Sequence, residues 1–401
     1  MEQIAVAWLV LDLTDSPTMV GLVFGARSLP SLFLSPLGGV IADRADRRMV
    51  LAVSQAFAAL LAGIMAALSL AGVLELWHIF VLISGFGMMW SINNPARHAL
   101  IPQLVPREDL MNAIALNSTG FNVSRSIGPF VGAIFLATIG FGGTFVVASA
   151  LYASVLFVTL SIRTRRPPVA LAKASVVEDL LAGVRYVRAH KDILTLIVLA
   201  MFPIVIGMPY MALMPVFARD VLGQSEFGFG LMMACAGMGS LAGTITLASL
   251  TNLRRGGLAL LTTGLVFGIS IFAFGLSKNY ILSLVILLFL GGASMMYLSV
   301  SNMLIQLQVD DVMRGRVMSI LMMEFGLMPL GAMVAGGLAE LTSPGAVVMA
   351  MGLILAAAAV AAMVLLPNIR NMSISAAGVA GRAPPGDTAE PARDPSGAAS
   401  R

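Results

Sequence analysis

Apolar stretches of about twenty residues recur from one end of this 401-residue sequence to the other, and no other feature limits its fold so tightly. An α-helix rises about 1.5 Å per residue, so about twenty residues cross the roughly 30 Å hydrocarbon core of a bilayer. Inside that core the backbone finds no water to bond, which leaves helices or closed barrels as the spanning structures. The short alternating segments of a barrel are missing from the sequence. Charged residues make up 11% of the chain, less than half of the roughly 25% carried by a soluble domain. The chain reads as an all-α polytopic membrane protein.

Charged breaks place the apolar runs at residues 18–42, 49–71, 77–97, 110–138, 143–162, 194–218, 227–250, 257–276, 281–305, 317–341 and 345–366. A shorter run, Ile4–Leu13, opens the chain and amounts to only about 15 Å of helix. We expect this first helix to lack its cytoplasmic half, an internal methionine having been taken as the start; a re-entrant or interfacial stub is the alternative. If the loop at Asp43–Arg48 is cytoplasmic and the sides alternate, 20 of the 24 Lys and Arg fall on the cytoplasmic side. Arg219 and Lys278 fall opposite, and Arg27 and Arg125 lie inside spans. That asymmetry is what membrane insertion selects, and shifting the parity by one helix destroys it.

The longest internal break, Ile162–Ile193, starts with the basic run RTRRPP and continues as EDLLAGVRYVRAH. There Val177, Leu180, Leu181, Val184 and Val187 share one helical face, as in an amphipathic helix on the cytoplasmic leaflet. The break divides the chain into an N-terminal bundle over 1–162, a linker over 163–193 and a C-terminal bundle over 194–366. Residues 367–401 turn to Ala, Gly, Pro, Ser and Arg and read as a disordered cytoplasmic tail. The halves share a layout: IPQLVPREDLMNA in one answers IQLQVDDVMRGRV in the other, as in carriers built from repeats.

Several classes are excluded. The net charge of +4 is spread over short loops, not gathered into a nucleic-acid-binding stripe. One cysteine, Cys235, and three isolated histidines, His78, His98 and His190, offer no intramolecular disulfide, metal set or catalytic triad. No phosphate-cradling loop is present, so neither an enzyme nor an ATP-driven pump is indicated.

The segment GGVIADRADRR, Gly38 to Arg48, resembles the G-x-L-A-D-R-x-G-R-[RK] signature of the major facilitator superfamily. Gly39, Ala42, Asp43, Arg44, Arg47 and Arg48 match it, while Ile41 replaces Leu and Asp46 stands where Gly is usual. The stretch from Pro95 through Gly132 and the run RGRVMSILMMEFGLMPLGAMVAGGLAE are similar to the branch of enterobactin-exporter and macrolide-efflux-type carriers. The resemblance covers residues 1–368 and implies the major facilitator fold of two pseudo-symmetric six-helix bundles. It also implies that Asp43 acts as a latch, pairing with helix ends of the opposite half in the outward-facing state. Arg44, Arg47, Arg48 and Arg97 are grouped with it, and Asp310 and Asp311 are partners within reach of the arginines; anchoring of the loop to anionic lipid is the plainer reading. The second copy of the signature, ASLTNLRRGG, keeps Arg254 and Arg255 but no Asp, so the latch belongs mainly to the first half.

In the fifth span Ser124, Gly128 and Gly132 recur every fourth residue and make a flat strip suited to close helix contact, a seam between the halves. The eighth span offers Gly239 and Gly243 at the same spacing. Gly128-Pro129 resembles the G-P-x-x-G-G motif of exporters, with Ala133 in place of the last Gly. Arg125, a near neighbour of Asn122, and Arg27 place guanidinium groups near mid-membrane, where each needs a cavity or a counter-charge. Glu324 is the carboxylate well inside a full-length span, and two readings stay open for it: a protonation site modulated by Arg125 or Arg27, or a permanent ion pair. Asp12 is a further candidate, or a cap beside the outer loop. Of 27 methionines, 20 follow Asp192, which suits either an adaptable pocket or a packed apolar face.

The sequence therefore predicts a monomeric, multi-pass carrier of the bacterial inner membrane with linker and C-terminus in the cytoplasm. It would export small amphipathic or apolar molecules, siderophore or drug-like, at the expense of the proton gradient and without a cofactor. An uncoupled facilitator or importer, or a truncated non-transporting protein, is the alternative.

Overall fold

The structure, a computed structural model, describes residues 2–162, 176–249 and 255–373. Within its helices the side chains of Asp43, Arg44, Asn122, Arg125, Asp311 and Glu324, among others, lie outside the description. The described residues form helices joined by short turns. In chain order these are α1 (Glu2–Thr14), α2 (Pro17–Arg44), α3 (Arg47–Leu70), α4 (Leu76–Leu104), α5 (Leu110–Ser161), α6 (Val176–Ala189), α7 (Lys191–Ile206) and α8 (Tyr210–Val216). After a π-helical turn at Phe217–Val221 come α9 (Glu226–Ser249), α10 (Gly256–Leu276), α11 (Tyr280–Gln308), α12 (Asp311–Met322), α13 (Glu324–Leu341), α14 (Pro344–Leu365) and α15 (Pro367–Arg370).

Among the described residues, eight helices are long and apolar enough to cross a membrane. Their outer surfaces suit lipid: Leu365, Val364 and Phe157 are 72, 70 and 68 % exposed, which water would penalise and hydrocarbon does not. The 52 residues of α5 would measure about 78 Å if straight, more than twice the membrane core. The helix instead folds over at Gly140, whose φ of 69° and ψ of −173° belong to a region that only glycine occupies cheaply. This is the break expected between the runs ending at 138 and starting at 143. Two other spans are interrupted. Pro209 lacks an N–H and separates α7 from α8, and a tight turn at Met323 separates α12 from α13.

The chain enters the turn at Asp46 from one face of the membrane, and that basic face also holds Arg48, Arg97, Arg255, Arg314 and Arg316. The turns at 15–16, 71–75, 222–225, 277–279 and 342–343 define the far face. In the first half α2 packs along α4, and α3 against α4 and α5; in the second, α9 packs along α11, and α10 against α11 and α14. The α9–α11 contact is backbone to backbone, since a Cβ on Gly239 would lie 1.9 Å from the Leu288 carbonyl oxygen and one on Gly291 1.9 Å from that of Ala236. The two halves meet chiefly along α2–α13 and α5–α9.

Two boundaries differ from the sequence expectation. The tail expected from residue 367 begins as folded chain: α15 and Met372 return to the start of α10, with Gly257 N–H donating to the Met372 carbonyl at 3.0 Å and Ile369 and Met372 buried. Two apolar side chains carried past the last span are buried there, and the backbone hydrogen bond joins them in holding the segment. Residues 374–401 of the tail and 163–175 of the linker lie outside the described residues. The amphipathic helix exists as α6 and packs on α12, burying Gly183 and Val187 while Leu181 stays exposed. Gly183 sits close to Arg316 and Ile320, so this helix lies on protein where membrane lipid had been expected.

Candidate functional site

The seam between the halves is built from small residues near the far face. On α2 and α13, a Cβ added to Gly21 would lie 2.5 Å from the Ala332 carbonyl oxygen, and one on Gly336 2.7 Å from that of Pro17. On α5 and α9, a Cβ on Gly230 would come within 1.8 Å of the Ala133 Cβ, and Phe130 packs against Phe227 with ring centroids 6.4 Å apart. Trp8 of α1 stacks on Phe229 of α9 at 5.8 Å. Polar groups close the far end. The Ser16 hydroxyl donates to Glu340 Oε2 at 2.7 Å, and the Thr18 N–H reaches the same oxygen at 3.4 Å. A carboxylate from the second half thus caps the positive N-terminus of α2. Arg219 donates to the Leu11 carbonyl at 3.1 Å and pairs with Asp15 at 2.9 Å and Asp220 at 2.7 Å. Counting about 1.5 Å per residue, these contacts all lie within about 15 Å of the far face.

Toward the membrane centre lies a buried ion pair. Glu2 lies twelve residues back from Thr14, about 18 Å deep, and Arg27 ten residues on from Pro17, about 15 Å deep. Nη2 of Arg27 donates to Oε1 of Glu2 at 3.0 Å, and Glu2 is 9 % exposed. The Tyr152 hydroxyl is hydrogen-bonded to the same carboxylate, and the guanidinium carbon lies 5.9 Å from the Phe86 ring centroid. Gly87 makes this geometry possible: a Cβ there would lie 1.7 Å from the Arg27 carbonyl oxygen, so α2 and α4 touch at the level of the charge.

A cavity of about 50 Å³ lies where α5, α8, α9 and α11 converge, lined by Pro129, Met208, Met211, Met233, Ser240 and Met295 among others. Four of the late methionines therefore do face a common space. In this conformation it is far below the roughly 300–1,000 Å³ that a drug-sized ligand needs.

The residues singled out in the sequence are distributed as follows. Arg27 finds its counter-charge in Glu2, which sequence reading passed over because it stands at the second position of the chain. Counting back from the turn at Asp15–Ser16 would have placed it beside Arg27. Asp12 is exposed near the far end of α1. Gly39, Asp43 and Arg44 occupy the last turns of α2, so the turn itself falls at Ala45–Asp46. Asp46, the residue out of place in the signature, is the N-cap of α3, accepting the Arg48 N–H at 3.0 Å.

Arg48 donates its side-chain N–H groups to the carbonyls of Thr159 and Leu160 at the end of α5. Arg47 begins α3, and Arg97 donates to Asn94 at 3.3 Å. Asp310 accepts from the Tyr186 hydroxyl at 2.9 Å, tying α6 to the start of α12, and burial pushes the Tyr186 phenol up from its ordinary value. In this conformation Arg48 and Asp310 thus bond elsewhere than to each other. Asp311 begins α12, and Glu324 is the first residue of α13, at the break between the two helices; the side chains of both lie outside the described residues, as do those of Asn122 and Arg125.

Along α5, Gly132 is buried, but Ser124 is exposed and Gly128 has no neighbour within 4 Å of an added Cβ. The tight contact comes from Ala133 beside Pro129 and Phe130. Among the described residues the close contacts between the halves lie near the far face, and Gly128, closer to the basic face, meets open space. Gly239 and Gly243 face α11, and the seam glycine of α9 is Gly230.

Helices crossing a membrane, two halves joined along two helix pairs and a charge pair buried near mid-membrane fit a secondary transporter of the major facilitator type, a class that works by alternating access and is not an enzyme. The family described as transmembrane secretion effector matches residues 1–384, and the chain belongs to it. The chain is 25% identical to the staphyloferrin A transporter of Staphylococcus aureus over 335 residues, covering 82% of this chain and 83% of the relative. It is 25% identical to the multidrug efflux pump Tap of Mycolicibacterium fortuitum over 383 residues, covering 93% of each. With the enterobactin exporter of Escherichia coli K12 it shares 27% identity over 339 residues, covering 84% of this chain and 80% of the exporter. Among solved structures, a D-xylose–proton symporter superposes with a TM-score of 0.69 at 16% identity, covering 92% of this chain and 95% of the symporter. An inward-facing bacterial homologue of the human lysosomal transporter Spinster gives 0.65 at 16%, covering 92% of each. These two likenesses concern the fold. The molecule is a multi-pass bacterial inner-membrane protein.

Proposed function

We propose that this protein exports small amphipathic or apolar molecules, of siderophore or drug-like kind, in exchange for protons, by rocking two six-helix bundles about the seam. The bundles comprise residues 1–162 and 194–366, with the linker over 163–193 on the cytoplasmic side. The observation that carries this reading is the seam at the far face among the described residues: Gly21–Ala332, Gly336–Pro17, Gly230–Ala133 and Ser16–Glu340 all close it. Charge asymmetry makes the basic face cytoplasmic, so this is the inward-facing conformation.

Rocking about the seam would open the far face and bring the cytoplasmic ends together. In that state Asp43, Arg44, Arg47, Arg48 and Arg97 would engage the ends carrying Asp310 and Asp311. Arg48 would then leave the carbonyls of α5, and Asp310 would leave Tyr186. The cargo class is supported by the names of relatives, which include a siderophore exporter, a siderophore transporter and a multidrug pump. The methionine lining of the small cavity agrees with it in chemistry, since thioethers adapt to apolar shapes. Glu324, Arg125 and Asn122 remain candidates for contact with cargo or protons.

Flux decides the matter. Proteoliposomes containing the full chain should accumulate one or more of a panel of lipophilic dyes and catecholate or carboxylate siderophores when a proton gradient is imposed. Collapsing the gradient should abolish accumulation. Equal flux with and without it would make the protein a facilitator.

A further inference from the structure

We propose that Glu2 carries the coupling proton, with Arg27 as the counter-charge it gains and loses and Tyr152 as the group that positions it. This deepens the proton-exchange reading and rests on it. Among the described residues Glu2 is the buried carboxylate: Asp12 is exposed, while Asp15 and Asp220 bind Arg219 at the far end. A charged group at this depth is costly and persists where a partner or a function retains it.

The pair is built to break. Arg27 presents one nitrogen to one carboxylate oxygen, and its Nη1 is buried with no hydrogen-bond partner among the described residues. This end-on contact forgoes the bidentate geometry that makes Arg–carboxylate pairs strong. The pair is also wired to the seam, because α1 carries it at one end and contacts the second half further along. Trp8 stacks on Phe229, and the Leu11 carbonyl takes an N–H from Arg219. Opening the far face breaks the contacts of α1 with the second half, which frees α1 to shift Glu2 against Arg27 of α2.

The step is a proton transfer. With the cleft open to the far face, a proton from water joins the Glu2 carboxylate to give the neutral acid, the contact to Arg27 breaks, and the charge of the pair rises from zero to plus one. In the inward-facing conformation the acid returns its proton to water on the basic face and the ion pair re-forms. The ion pair seen here is that proton-free state. Among the described residues the groups that face Glu2 include Arg27 from α2 and Tyr152 from α5. From α4 the apolar Phe86 ring lies against Arg27.

The test requires no knowledge of the cargo. The full chain with Cys235→Ala, Leu13→Cys and Leu341→Cys is spin-labelled in lipid nanodiscs, so that the labels report the gap between the halves at the far face. Their distance distribution is measured across roughly pH 5 to 9 by double electron–electron resonance. The closed-to-open ratio should change with pH by up to about tenfold per unit, the limit for one proton. Glu2→Gln should abolish that response, and Glu2→Asp should keep it with a displaced midpoint. A Glu2→Gln protein that responds as the parent does overturns the assignment of Glu2 and leaves proton exchange standing, with Glu324 as the next candidate carrier. A parent protein whose distances ignore pH sinks proton exchange itself. A Glu2→Asp protein as unresponsive as Glu2→Gln also overturns the assignment, because it points to packing in place of proton binding.

Discussion

Replacing Gly230 by alanine should shift the carrier away from the conformation described here without unfolding it. The added methyl would stand 1.8 Å from the Ala133 Cβ. Carbon atoms in good contact lie about 3.5–4.0 Å apart, so α5 and α9 must separate by about 2 Å at this level. Overpacking of this kind costs about 1–3 kcal/mol, or about a five- to 150-fold change in an equilibrium. The two helices belong to different halves, so the cost arises only while the far face is closed. Gly239→Ala is the control. Its methyl would stand 1.9 Å from the Leu288 carbonyl oxygen, inside one half, where the clash persists in every conformation. Spin labels at Leu13 and Leu341 should report a wider far face for Gly230→Ala with little change in melting temperature. For Gly239→Ala they should report a lower melting temperature and an unchanged distance distribution. If both variants lose stability alike and neither changes the distances, α5 and α9 form a permanent contact and the rocking mechanism is wrong.

Three further outcomes follow from the same geometry. Glu340→Gln weakens the cap on α2 and should open the far face in the same assay, by less than Gly230→Ala does; no change would mean that the Ser16 and Thr18 contacts do not hold the halves. Gly140→Ala meets no neighbour within 4 Å, so its cost of about 1–3 kcal/mol comes from the backbone alone. It should lower the melting temperature and leave the conformational ratio untouched, and a shift in that ratio would make the fold-over of α5 a hinge. In a Cys235→Ala background, a membrane-impermeant maleimide applied to intact cells should label Ser225→Cys, while Arg188→Cys should react only after lysis; the reverse pattern would invert the topology.

The helices were legible because their cause is one-dimensional. Hydrocarbon forces the backbone to bond within each segment, and the length of an apolar run against the bilayer thickness sets where each helix starts and stops. Hence the ends of α3, α9, α10 and α14 fall within a few residues of the sequence expectation, and the long α5 turns over between the two runs assigned to it. Where a break depends on hydrogen-bond detail, as at Met323 and Pro209, apolar content is blind to it. The site was legible only in kind. Arg27 announced that it needed a counter-charge, and the glycines announced close contact, yet neither named its partner.

From the sequence alone come the membrane, the helical fold, the order of the spans and the basic face, since each rests on local composition or on a sum of charges along the chain. The structure alone decides that Arg27 meets Glu2, that Gly230 and not Gly239 touches the other half, that Asp46 caps α3, and that the close contacts among the described residues lie at the far face. Those facts depend on how each helix is rotated about its axis and tilted against partners up to some three hundred residues away, as Ser16 is from Glu340. Two side chains at the same depth become neighbours only when the packing of whole helices turns them toward each other, and that packing is settled by all the contacts together.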